Sequence, residues 1–96
     1  MKISREYHDL AVDVASGFGV AFSSLTYPLR GTPREAQARQ ALMYLLHEVH
    51  QLSYTDIGHL LGRYRKTVSH GVEVTRLRMK ASRKFREIVS VARYGI

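Results

Sequence analysis

The sequence predicts an all-α fold of five helices in one domain spanning residues 1–96, and three observations lead there. Apolar residues recur at three- and four-residue steps along most of the chain, residues that start and stop helices punctuate those runs, and no stretch alternates apolar with polar side chains as a half-buried strand would. A chain of 96 residues buries one modest core and not two. Neither an internal repeat nor a low-complexity tract interrupts it.

Ile3, Tyr7, Leu10, Ala11, Val14, Ala15 and Phe18 lie along one face of a first helix, which Gly17 and Gly19 should end. A turn-rich connector over residues 22–28 leads to the loop Leu29-Arg30-Gly31. At Thr32-Pro33 a hydroxyl suited to the N-cap precedes proline at the first helical position, where its missing N–H costs little. The second helix is expected from residue 33 to about 51 as the central rod, with Ala38, Ala41, Leu42, Leu45, Leu46 and Val49 as its apolar stripe. Ser53 opens a short third helix with Asp56 in its first turn; Ile57, Leu60 and Leu61 face inward, and Gly62 supplies the left-handed residue that ends it. A fourth helix over 65–80 turns Val68, Val72, Thr75 and Met79 toward the core. Ser82 caps a fifth, with Phe85, Ile88, Val89 and Ala92 inward.

Fifteen Lys and Arg against eight Asp and Glu give a net charge of +7, which favours polyanionic partners. The charge is polarised. Residues 1–62 carry five basic and six acidic side chains, whereas residues 63–96 carry ten basic and two acidic, so the C-terminal third is the electropositive surface. There is no cysteine, hence no disulfide and no thiolate metal site. Acids at Glu6, Asp9 and Asp13 break any secretory-type apolar run, and the longest uncharged stretch, 14–29, is short for a membrane span and contains glycine, serine and proline. A soluble, cytoplasmic chain without membrane contact is the expectation. His47, Glu48 and His50 miss the zinc-binding helix spacing by one residue and have no evident third ligand, so no metal is expected. No nucleophile, base and acid share a local context, and a non-enzyme without cofactor is expected.

The informative stretch is 52–71, and the helix-turn-helix spans about 53–80. A short helix over 53–61, a tight turn at Gly62 and a helix whose first turn is polar and basic form an arrangement that reads DNA, the first helix bracing the second and the second presenting its N-terminal side chains to the major groove. Free N–H groups at such an N-terminus also attract phosphate. The same pattern, taken alone, fits a generic helical bundle with a solvated basic face.

Arg39-Gln40-Ala41-Leu42-Met43-Tyr44-Leu45-Leu46-His47-Glu48, then Leu52-Ser53, Asp56-Ile57-Gly58, Leu61-Gly62-Arg63 and Thr67-Val68-Ser69-His70, resemble the C-terminal DNA-binding domain of the bacterial replication initiator DnaA, over about residues 14–87. The resemblance implies a Trp-repressor-like helix-turn-helix as a stand-alone domain, for no nucleotide-binding module accompanies it. The family's signature at the start of its recognition helix is Gly-Arg-Asp-His-Thr-Thr-Val, then His one position later. Arg63, Thr67, Val68 and His70 match it, while Tyr64, Arg65 and Lys66 replace the Asp, His and first Thr. Scaffold and phosphate contacts therefore carry over and base preference does not; Arg65 suits bidentate pairing with guanine, and Lys66 guanine or phosphate. The family also reaches the minor groove with a basic loop, whose counterpart here keeps Arg30 and Arg34.

The DNA-binding set expected from residues and resemblance together is Arg30, Arg34, Arg63, Tyr64, Arg65, Lys66, Thr67, Ser69, His70 and Arg76. It describes a sequence-specific reader of double-stranded DNA at the bacterial nucleoid, a transcription regulator of the kind found in phages, transposons and gene-transfer agents. Such a reader either pairs as a homodimer or touches RNA polymerase or a sigma-like partner. The alternative is an accessory replication factor or α-helical adaptor that docks a protein through Val89, Val91, Tyr94 and Ile96.

Overall fold

The computed structural model describes residues 5–26 and 31–94, the last two by backbone alone. They form α1 (Arg5–Phe18), a 3₁₀ turn (Phe22–Leu25), α2 (Pro33–Glu48), α3 (Tyr54–Leu61), α4 (Arg65–Ala81) and α5 (Arg83–Tyr94), with no strand among the described residues. The fold is all-α, with five α-helices. Ile3, at the start of the predicted first helix, lies outside the described residues, as do Arg30, Tyr94's side chain and Ile96.

α2 is the rod around which the others assemble. Ala38, Arg39, Ala41, Leu42, Met43, Leu45 and Leu46 are all buried, which covers more than half of the helix circumference and lets α1 and α4 pack on different sides of it. At about 1.5–3 kcal/mol for each large apolar side chain removed from water, this helix carries much of the hydrophobic stabilisation. α4 adds Val68 and Val72, α3 adds Ile57 and Leu61, and α5 closes over α1 with Phe85, Val89 and Ala92. Phe18 and Phe85 meet edge to face at 5.4 Å where α1 and α5 join.

α2 ends three residues earlier than its apolar spacing predicts. The chain turns at Gln51 in the left-handed conformation (φ 56°), and Leu52 N–H donates to the Leu46 carbonyl at 3.1 Å. This closure meets the carbonyls at the helix end and leaves Val49, assigned to the stripe, 37% exposed at the C-cap. Val89 differs in the other direction: at 1% exposure it belongs to the core and cannot dock a partner.

The start of α2 is tied more firmly than Thr32-Pro33 alone implies. Thr32 Oγ1 accepts the Glu35 N–H at 3.1 Å, Glu35 Oε1 accepts the Thr32 N–H at 2.8 Å, and Glu35 Oε2 also accepts the Ser24 hydroxyl of the 3₁₀ turn. Nearby, buried Arg39 donates to the Ser24 carbonyl at 2.8 Å. These hydrogen bonds, Ser24's foremost and then Thr32's, hold the Glu35 carboxyl below its ordinary pKa. A depressed carboxylate contributes stability above the unfolded-state pKa, roughly 4.3 for Glu, and loses it as pH falls through the folded value. Glu35→Gln is therefore expected to lower the thermal midpoint at pH 7 and to match the parent near pH 3; equal midpoints at pH 7 would show that the carboxylate is dispensable.

Candidate nucleic-acid interface

α3 begins at Ser53, whose Oγ accepts the Asp56 N–H at 3.0 Å, and ends at Gly62 with φ 66° and ψ 41°. That left-handed conformation is costly for a residue with a Cβ. The Arg63 N–H then donates to the Gly58 carbonyl at 2.8 Å, which draws the turn back onto α3. Gly58 is part of the same closure: a Cβ there would stand 2.4 Å from the Arg63 carbonyl oxygen. Beneath the turn, Ile57 and Leu61 of α3 and Val68 and Val72 of α4 are completely buried, while Leu60 packs at the core's edge.

α4 leaves this turn with an uncapped N-terminus. Thr32, Ser53 and Ser82 each cap their helix with a hydroxyl, Ser82 Oγ accepting the Phe85 N–H at 3.1 Å; Tyr64, at the N-cap of α4, has extended backbone and no side-chain cap bond. Its ring is 86% exposed. The N–H groups of the first turn are thus left for an external acceptor. Arg65, Lys66 and Thr67 are exposed around them, and among the described residues Arg65 and Lys66 have no ion-pair partner. Arg63 folds over the turn, Nη1 donating to the Leu61 and Gly62 carbonyls at 3.2 Å each.

Five of the expected residues, Arg63, Tyr64, Arg65, Lys66 and Thr67, therefore meet at one tip. Half-buried Ser69 and exposed His70 follow on the next turn. A groove of about 530 Å³ beside the tip joins Arg63, Tyr64 and Arg65 to Thr55 and His59 of α3. Sequence reasoning missed those two; their i, i+4 spacing on the polar side of α3 is the signal that would have found them. His70 lines a different groove, with Thr32 and Arg78. Arg34 sits apart, beside Gly19 and Lys84 in a groove between α1, α2 and α5.

Arg76 is also elsewhere. It pairs with Glu48 at the end of α2 and with Glu73 on its own helix, and the Glu48 bond raises its pKa. Two turns earlier on α2, Arg78 donates to Gln40 Oε1. The two arginines tie α4 to the central rod, and Arg76's charge is already offset. His47 donates from Nδ1 to the Leu52 carbonyl at 3.0 Å and packs on Tyr54, ring centroids 4.5 Å apart, bracing the link between α2 and α3. Among the described residues no three His, Asp or Glu side chains are grouped to hold a metal ion, and no helix is long and apolar enough to cross a membrane.

A short bracing helix, a glycine-closed turn and a second helix with a cationic, uncapped start define a DNA-binding helix-turn-helix. The family model described as bacterial dnaA protein helix-turn-helix matches residues 10–75, and the chain belongs to that family. The matched span runs from Leu10 within α1 to Thr75 within α4, with α5 lying beyond it. No curated protein matches the chain. Duplex DNA is the partner the family supports.

Because a Cβ at Gly58 would collide with backbone and not with a side chain that can swing away, Gly58→Ala should lower stability and DNA affinity together. A thermal midpoint and a gel shift unchanged from the parent would show that the turn tolerates the separation. Tyr64→Ser should separate the two properties. A hydroxyl at the N-cap adds about 0.5–1 kcal/mol of stability, while it occupies an N–H otherwise open to phosphate and removes the exposed ring. The expected result is a higher unfolding midpoint with weaker DNA binding; a variant that gains stability and keeps its affinity would remove the first-turn N–H groups from the interface.

Proposed function

We propose that this chain is a stand-alone, sequence-specific reader of double-stranded DNA that regulates transcription, and that it reads bases with the first two turns of α4. The observation that carries this is the tip itself: Arg65 and Lys66 exposed and without ion-pair partners among the described residues, on a helix start with no side-chain cap. In the isolated chain those cations sit at the positive end of the helix dipole, an arrangement that costs a few tenths of a kcal/mol and becomes favourable against phosphate. Arg65 and Lys66 face base edges, with Thr67, Ser69 and His70 beside them. Tyr64 offers its ring to a thymine methyl or a sugar. Arg63 supports the turn and lies against the backbone.

The outer face of α4 limits how far the reading extends. Past His70 it presents exposed Glu73 and then Leu77, 62% exposed. Neither suits a phosphate-lined groove wall. α4 therefore enters end-on, by its N-terminus, instead of lying along the groove. Arg76 braces α4 on α2 in this reading and makes no phosphate contact; Arg34 lies beside Lys84, away from the tip, and makes none to the duplex read there, so Arg30 is the loop's contribution.

Selection of bound sequences from random duplexes is the direct test, with one enriched motif expected. With about 4–5 phosphate contacts, the slope of log K against log salt should lie near −4. Arg65→Ala should cost roughly 1–3 kcal/mol on the selected site and relax preference at one base pair, whereas Arg76→Ala should lower the unfolding midpoint and leave the preferred sequence unchanged. A flat salt response, or an Arg65→Ala variant with full preference, would place the reading surface elsewhere.

A further inference from the structure

We propose that the corner where α4 meets α5 is a second DNA-backbone surface, which holds another duplex while the tip of α4 reads the first. The proposal rests on the end-on reading of that tip.

Residues 78–86 contain Arg78, Lys80, Arg83, Lys84 and Arg86 and no acid. Part of this charge has an internal use. Arg78 and Lys80 lie in the last turn of α4, where cations complement the dipole, and Arg86 donates to the Met79 carbonyl at 2.7 Å. Arg83 and Lys84 have no such use, for they begin α5. α1, α2 and α3 start with an acid in the first turn, Glu6, Glu35 and Asp56 respectively; α4 and α5 start with two cations and none. The corner thus repeats the electrostatic signature of the reading tip: cations placed where an isolated helix disfavours them and a polyanion reverses the sign. Arg83 meets Glu87 at 3.3 Å, but Lys80 and Lys84 are exposed and have no ion-pair partner among the described residues.

Distance separates the two surfaces. At 1.5 Å per residue, residue 80 stands about 22 Å from residue 65 along α4. A major groove is about 8.5 Å deep, so a helix entering end-on carries the corner well over 10 Å above its rim. Screening at physiological ionic strength acts over about 8 Å. The corner's charge is then of little use to the duplex being read. The partner's chemistry follows from what the corner lacks. No exposed large apolar side chain occurs between residues 78 and 90. A protein interface needs an apolar or aromatic anchor at its centre, whereas binding to a nucleic-acid backbone needs charge alone.

The test is a bridging assay: one duplex carrying the selected site on beads, a second labelled duplex in solution, and the intact chain between them. The parent should retain the labelled duplex at low salt. Losing two cations, Lys80→Gln/Lys84→Gln should cut retention at least about fivefold while affinity for a single duplex changes less than about threefold; a circular-dichroism melt confirms that the variant is folded. Several outcomes overturn the proposal: no bridging by a parent that binds one duplex normally; bridging that survives in the variant, which assigns it to the tips of paired protomers; or a loss of single-duplex affinity as large as that of Arg65→Ala, which puts the corner on the same duplex. A variant that bridges normally yet no longer binds phosphatidylglycerol vesicles assigns the corner to a membrane surface and overturns it equally. The tip reading fails separately, if Arg65→Ala leaves single-duplex binding intact.

Discussion

One backbone contact sets the direction in which α4 leaves the core. The Arg63 N–H reaches the Gly58 carbonyl only because Gly58 has no side chain and Gly62 accepts a left-handed backbone. Together they place the turn against α3 within van der Waals distance. The angle between the two helices, and with it the position of Arg65 and Lys66, follows from that approach. Hydrophobic burial under the turn by Ile57, Leu61, Val68 and Val72 supplies the energy that holds it, but burial is non-directional and would tolerate several crossing angles. The backbone closure selects one.

Most of the fold was legible because each helix announces itself locally. Apolar spacing located all five helices, and the hydroxyls of Thr32, Ser53 and Ser82 marked three starts that the hydrogen bonds bear out. Gly62 marked the turn in the same way. The errors are of another kind. The early end of α2 depends on a left-handed glutamine, a residue type that gives no advance notice of positive φ. Burial of Arg39 depends on a carbonyl fifteen positions away in the 3₁₀ turn. The site divides along the same line: the tip is contiguous in sequence and was visible, whereas the pairing of Arg76 with Glu48 spans 28 positions and was not. Charge read from sequence counts cations and does not say which of them are already neutralised.

The electrostatics then sort into three uses. Arg39, Arg76 and Arg78 tie helices to one another, with Ser24, Glu48 and Gln40 as their partners. Arg63 and Arg86 cover backbone carbonyls at helix ends. Among the described residues Arg5, Arg34, Arg65, Lys66, Lys80 and Lys84 remain exposed without an ion-pair partner. The net charge of +7 thus overstates the cations free to meet a ligand.

The uncapped start of α4 has a consequence for motion. The helix is clamped from Arg76 onward by its hold on α2 and is anchored by Val68 and Val72 below, so its first turn projects as the free end of a cantilever. Helix ends without caps fray, and the amides of residues 65–67, which have no acceptor within the helix, stay open to solvent while the rest of α4 is closed. A loose tip can approach a phosphate backbone with small losses of order, and it locks where its N–H groups and its two cations are satisfied. Affinity for DNA then depends partly on how rigid the first turn becomes, a change that amide exchange reports residue by residue.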